Sequence, residues 1–188
     1  MNGFGHERGR DKLQPMTTLR KATLADLPLL LRMEAEYARD QRQLVERENP
    51  RTRPYMRRIA SDRSSVVQRE TGKYFRKAIR SRDSLVSIGE MNGRPTGLCV
   101  ISIFQLLPAI RLIGRIGRLD LFFVRRAYRG RGVSSMMYGH AREWFAARGV
   151  HHVGLEVAND NLSARAIYKK WGFFDFFVEM RAEIKSGG

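Results

Sequence analysis

Apolar positions along this chain switch between two periods, and the switches divide it into elements. Thr17 to Lys21 reads as a short strand. Thr23 followed three residues later by Asp26 has the form of a capping box, which predicts a helix start. The helix places Leu27, Leu30, Leu31 and Tyr37 on one face, with Pro28 in its first turn, where proline is tolerated. From Arg42 to Asp83 the chain is mostly polar and basic, and one or two helices are expected, around Tyr55 to Ile59 and Val66 to Ile79. Strand patterning then takes over. Ser84 to Glu90 leads into Asn92-Gly93, a strong hairpin turn, and Thr96 to Gln105 returns. After a bend near Pro108, a third strand runs from Arg115 to Val124.

A helix opens after Gly132. Val133, Met136, Met137, His140, Ala141, Trp144 and Phe145 follow helical spacing, so His140 is expected in the core; Gly149 closes the element. His151 to Ala158 alternates as a strand, Ser163 to Trp171 reads as a short helix, and Phe173 to Ile184 as a final strand. The order predicts an α/β or α+β domain with a mixed sheet. Residues 1–15 read as a flexible tail ahead of one domain over 16–185.

The composition fits a folded domain: 43% of the 188 residues are hydrophobic and 10% aromatic. Cys99, the single cysteine, lies in an apolar run and is expected to be buried and inert. No stretch approaches a membrane span and the first residues lack a signal-peptide pattern, so a cytoplasmic protein is expected. His151-His152 lacks partners at metal-ligand spacing, and no metal site is expected. The net charge of +16 attracts polyanions, so nucleic acid or ribosome contact is open, although no nucleic-acid-binding motif accompanies it.

The chemistry concentrates at the junction Val124 to Ser135. A strand ends, glycines Gly130 and Gly132 make a turn, and a long helix begins with Val133 and Ser134. Backbone N–H groups at a helix start lack partners and carry the positive end of the dipole. They form an anion site, and glycines let a pyrophosphate approach the backbone. Arg129 and Arg131 add positive charge. A dinucleotide fingerprint fits poorly, because Ser135 stands at its third glycine. A second pattern follows: Asn161, Ala164, Tyr168, Gly172 and Phe173, with Asn161 or Ser163 able to cap the short helix.

Together these segments resemble the GNAT superfamily, the GCN5-related N-acetyltransferases. Arg129-x-x-Gly132-x-Ser134 resembles the family's pyrophosphate loop, with Ser134 where glycine or alanine is usual. Leu119 to Val124 resembles its fourth strand, and Asn161 and Tyr168 stand where it has a cofactor-contacting asparagine and a catalytic tyrosine. The resemblance implies a mixed, mostly antiparallel twisted sheet of six to seven strands flanked by about four helices. It implies acetyl-CoA as co-substrate, held by Phe122, Val124, Arg129, Gly130, Arg131, Gly132, Val133, Ser134 and Asn161. It implies direct transfer to a primary amine, with Tyr168 as acid and Asp120 as base; Glu156 or water is the alternative base.

A rival reading is a basic binding module for RNA, ribosome or a protein partner with weak or no catalysis. A longer acyl-CoA is a third. The acceptor is expected to meet the first helical region, whose arginines, Arg47 to Arg63, disfavour polycations. Both faces of Phe173 to Met180 carry large apolar groups, from which a homodimer through this segment is expected.

Overall fold

The structure is a computed structural model, and it describes residues 17–48, 65–105 and 114–180. Five strands form one sheet in sequence order: β1 (Thr17–Lys21), β2 (Ser84–Met91), β3 (Arg94–Gln105), β4 (Arg115–Val124) and β5 (Val153–Leu155). The first four pair antiparallel, and β4 pairs β5 in parallel. Four α-helices accompany them among the described residues: α1 (Leu27–Glu48), α2 (Ser65–Arg80), α3 (Val133–Ala146) and α4 (Leu162–Lys170).

Each strand end has a local cause. Asn92 and Gly93 both take positive φ, 50° and 73°, which is the twist a two-residue hairpin needs between β2 and β3. At the entry to α1 the Asp26 carboxylate accepts from the Thr23 backbone N–H at 2.8 Å and from the Arg20 guanidinium at 2.7 and 2.9 Å. The Arg20 contact holds the Asp26 carboxyl down at about 2.

The sheet is covered on both sides, which is why its strands are apolar on both faces. On one face Leu30 and Met33 of α1 and Phe75 and Ala78 of α2 pack on Val86, Ile88, Leu98, Val100 and Phe123. On the other, Val133, Met137, Ala141 and Phe145 of α3 pack on Leu85, Cys99, Ile101, Ile103 and Leu119. Cys99 is buried as expected.

Several expectations change. β5 has three residues, not the span His151 to Ala158. His140 is exposed, because the buried stripe of α3 steps by four residues, Val133, Met137, Ala141, Phe145, and turns away from it. Residues 173–180 form no strand; after α4 they run without a ladder partner, so the described sheet has five strands rather than six or seven. The expected tail over 1–15, the helix near Tyr55 to Ile59, the arginines Arg51 to Arg63, the bend at Pro108 and the end of the final strand lie outside the described residues.

Gly117 shows how closely α3 sits on β4. A Cβ there would stand 2.5 Å from a ring carbon of Phe145. We expect Gly117→Ala to cost about 1–3 kcal/mol by overpacking. A thermal melt should show this as a Tm lowered by several degrees.

Candidate acetyl-transfer site

β4 and β5 are neighbours only at one end. Their register pairs Gly117 with Val153, Arg118 with Gly154 and Leu119 with Leu155, and stops there. On its other side β4 follows β3 to Val124, but with a bulge: Val100 opposes Leu121 and Ile101 opposes Leu119, so Asp120 is the extra residue. A bulge bends its strand and re-aims side chains. From Asp120 onward β4 keeps its β3 partner and loses β5, and a gap opens between the two strands.

The glycine loop closes the end of this gap. A 3-10 turn over Arg126–Tyr128 carries the chain from β4 to Gly130 and Gly132, whose φ values are 73° and 78°. L-residues with a side chain rarely take such values, so the glycines are required by the turn. A Cβ at either would meet nothing within 4 Å, so the space over both is open. Gly132 caps α3, and no side chain bonds to the helix start. The first N–H groups of α3 thus lack an intrahelical partner and a side-chain cap. Val133 is buried in the core under α3, so only its backbone can serve a ligand here. Arg131 is exposed, with its guanidinium 5.9 Å from the Tyr128 ring centre.

The other loop arginines turn away from the open space, onto α1. Arg125 makes a two-pronged bond to Glu36, 2.8 Å on each oxygen, and donates to the Pro95 carbonyl at 2.9 Å. Asp40 accepts from Arg126 Nε at 3.1 Å and also from Arg129. Arg126 also donates to Gln43. Arg129 Nε donates to the Val124 carbonyl at 2.9 Å. Glu36, Asp40 and Gln43 are spaced i, i+4, i+7, so one face of α1 is fastened to the loop. The expected phosphate role of Arg129 therefore falls on its backbone, since its guanidinium serves α1 and the strand end.

Tyr168 stands beside the gap on α4. Its ring meets Trp171 and Phe173 edge-on at 5.7 and 5.9 Å, and Trp171 in turn meets Phe122 of β4 at 5.8 Å. Burial, with lesser contributions from Tyr37 and Cys99, pushes its hydroxyl up to about 12. Asn161 caps α4: its side-chain oxygen accepts from Ala164 N and from the Ser163 hydroxyl, each at 3.2 Å.

Asp120 and Glu156, the two candidate bases, meet one cation. Arg118 Nε donates to Asp120 at 2.9 Å and another of its nitrogens lies 3.7 Å from Glu156. Asp120 is the more enclosed, its side chain 14% exposed against 76% for Glu156. The sequence reading missed Arg118, which lies two residues before Asp120 on its own strand, and the pair Glu36 and Asp40, whose spacing was visible but whose partners lie about 90 residues on.

This arrangement fits a coenzyme A thioester. An extended arm suits an unpaired strand edge, and a diphosphate suits an uncapped helix start under two open glycines. Among the described residues, no group of histidines, cysteines or carboxylates could hold a metal ion.

The profile of the acetyltransferase (GNAT) family matches residues 35–173, and the chain belongs to that family. No curated protein matches the sequence. Among solved structures, a protein of Clostridium acetobutylicum described as a predicted acetyltransferase, with acetyl-CoA, is similar at 21% identity and TM-score 0.65; the match covers 88% of this chain and 96% of that one. A GCN5-related N-acetyltransferase from Ralstonia eutropha is similar at 17% identity and TM-score 0.66, over 90% and 99% of the two chains. The aminoglycoside N-acetyltransferase AAC(6')-Iy, in complex with CoA, is similar at 12% identity and TM-score 0.65, over 92% and 97%. The shared fold is the mixed, mostly antiparallel sheet flanked, among the described residues, by four helices.

For Tyr168, replacement by Phe keeps the aromatic contacts and removes the proton. We expect kcat to fall about 10²-fold with little change in KM for acetyl-CoA. A hydroxyl raised to about 12 stays protonated at neutral and moderately alkaline pH, so wild type and Tyr168→Phe should show pH–rate profiles of the same shape from pH 6 to 10. Full turnover by the variant in a thiol-release assay would return Tyr168 to packing alone.

Proposed function

We propose that the chain is an N-acetyltransferase that moves an acetyl group from acetyl-CoA to a primary amine by direct attack in a ternary complex. The observation that carries this reading is the β4–β5 gap, which opens onto the uncapped start of α3 with Tyr168 at its side. Backbone N–H groups of Gly130 to Ser134 would hold the diphosphate, and the backbone of Phe122 and Val124 the extended arm, with Asn161 beside it.

The thioester supplies an acyl carbon activated toward nucleophiles. As the amine nitrogen bonds to that carbon, the carbon–sulfur bond breaks and Tyr168 donates its hydroxyl proton to the departing sulfur. The amine's surplus proton passes through water to Asp120, which Arg118 orients. Glu156 sits on the same guanidinium and is the alternative acceptor of that proton. A helix N-terminus and β4 N–H groups preorganised in the gap favour the negative charge that grows on the carbonyl oxygen. None of the described helices is long and apolar enough to cross a membrane. We assign the chain to the cytoplasm, where acetyl-CoA is at hand.

We also propose a homodimer through residues 173–180. Phe174, Phe176 and Phe177 are 69–86% exposed, and Val178 and Met180 about 90%. At about 200 Å² per aromatic residue, the three rings alone present on the order of 450 Å². With Val178 and Met180 added, the patch exceeds what monomers usually leave bare and approaches one partner's share of a stable interface.

Three measurements test these readings. Gly132→Asp adds bulk and a negative charge where the diphosphate would lie; calorimetry should show acetyl-CoA binding lost in a folded variant, and unchanged affinity would remove the site. Acetyl-CoA with a panel of amines, read by free thiol, identifies the acceptor. Light scattering at micromolar concentration should give twice the 21.7 kDa chain mass, and a monomer mass would exclude the dimer.

A further inference from the structure

At the end of the sheet opposite the glycine loop, two hollows of about 510 and 620 Å³ adjoin and share Arg80 and Ser81. β4 separates this end from the loop: Arg115 starts the strand here and Val124 ends it there. Ten residues at about 3.3 Å each make roughly 30 Å, so the surface is remote from the site described above.

Its charge is one-sided. Lys21, Arg76, Lys77, Arg80, Arg82 and Arg148 line it with no acidic group within salt-bridge distance among the described residues. Asp83 is the single acidic residue in the lining, and it is matched by Arg115 at 3.3 Å. Complementing helix dipoles does not account for the excess. The C-termini of α2 and α3 both end here, but each supplies about half a negative charge, against six full positive ones. The lining also holds Trp144, with the Arg148 guanidinium 4.1 Å from its ring centre. A guanidinium over an indole gives an unpaired base a surface to stack on.

We propose that this basic groove binds single-stranded nucleic acid, with the phosphodiester backbone along the α2 cations and a base against the Arg148–Trp144 pair. An acidic polypeptide would use the charges but not the stacked pair. A duplex would hide its bases from it.

The test uses the full-length protein and a fluorescently labelled 12-nucleotide single-stranded RNA, followed by anisotropy. Phosphate contacts from the five cations other than Arg148, at a single-strand slope of about −0.7 each, predict an affinity loss on the order of 10²-fold between 50 and 200 mM salt. The double variant Arg80→Glu/Arg148→Glu should bind at least tenfold more weakly at 50 mM salt. Arg76→Gln/Arg80→Gln, milder for folding, should weaken binding several-fold, and Arg148→Ala should show lost stacking. Acetyl-CoA affinity, measured beside each, should not change, because the groove is remote from the glycine loop. The proposal falls if wild type binds no RNA at 50 mM salt, or if all three variants bind as wild type does. It also falls if a duplex of the same sequence binds as tightly, or if polyglutamate displaces the RNA at equal charge concentration. Absence of acetyl-CoA binding in wild type would overturn the transferase reading and leave this one standing.

Discussion

The parting of β4 from β5 after Leu119 is the constraint on which the rest of this molecule depends. A sheet gains from continuous pairing, and leaving several backbone groups of a central strand without a partner is costly unless something else bonds them. The chain meets the cost locally. The bulge at Asp120 lets β4 stay bonded to β3 while it leans away from β5, and the Asp120–Arg118 pair fixes the strand where it bends. The remaining core is dense around this break. Leu98, Val100 and Phe123 are nearly fully buried on one face, and Cys99, Ile101 and Leu119 on the other. A gap in such a sheet persists because the packing on either side leaves β4 nowhere else to go.

A second layer of organisation is electrostatic. The four arginines of the glycine loop, Arg125, Arg126, Arg129 and Arg131, would repel one another, and two carboxylates on α1 offset part of that charge. Surface pairs of this kind contribute little each, but the Glu36–Arg125 contact is two-pronged and mostly shielded, with side chains 30% and 26% exposed. The geometry makes the loop and α1 a single unit. A shift of α1 is therefore coupled to the glycine turn through these pairs.

Much of this was legible in the sequence, and what was not has a common cause. The helix over α3, the Asn92-Gly93 turn and the turn into that helix at Gly130 to Gly132 are local signals, each decided within a few residues, and each is present in the structure. The lengths of β5 and of the final strand are decided by neighbours. Val153, Leu155 and Val157 alternate as one strand would, yet pairing stops at Leu155 because β4 has turned away. Phe173 to Met180 alternates too, but no ladder partner lies beside it among the described residues. His140 was misplaced by a stripe taken too wide. In the candidate site, Tyr168 and Asp120 were proposed from motif and strand pattern. The Arg118 bridge and the α1 clamp were not, because ion pairs between residues far apart leave no periodic trace.

Cys99 gives the buried sheet one more consequence. It sits on β3 directly opposite Phe122 in the register, one strand removed from the gap where a reaction of this kind would release a thiol. A reactive cysteine in that position would trade disulfides with oxidised forms of the product and stall the enzyme as a mixed disulfide. Burial first, and the nearby Asp120 second, push the Cys99 thiol well above its ordinary range, and only 2% of the residue meets solvent. Thiolate is the attacking species in such exchange, so this sulfur is withdrawn from it. The packing that seals the sheet thereby also keeps its one thiol out of such exchange.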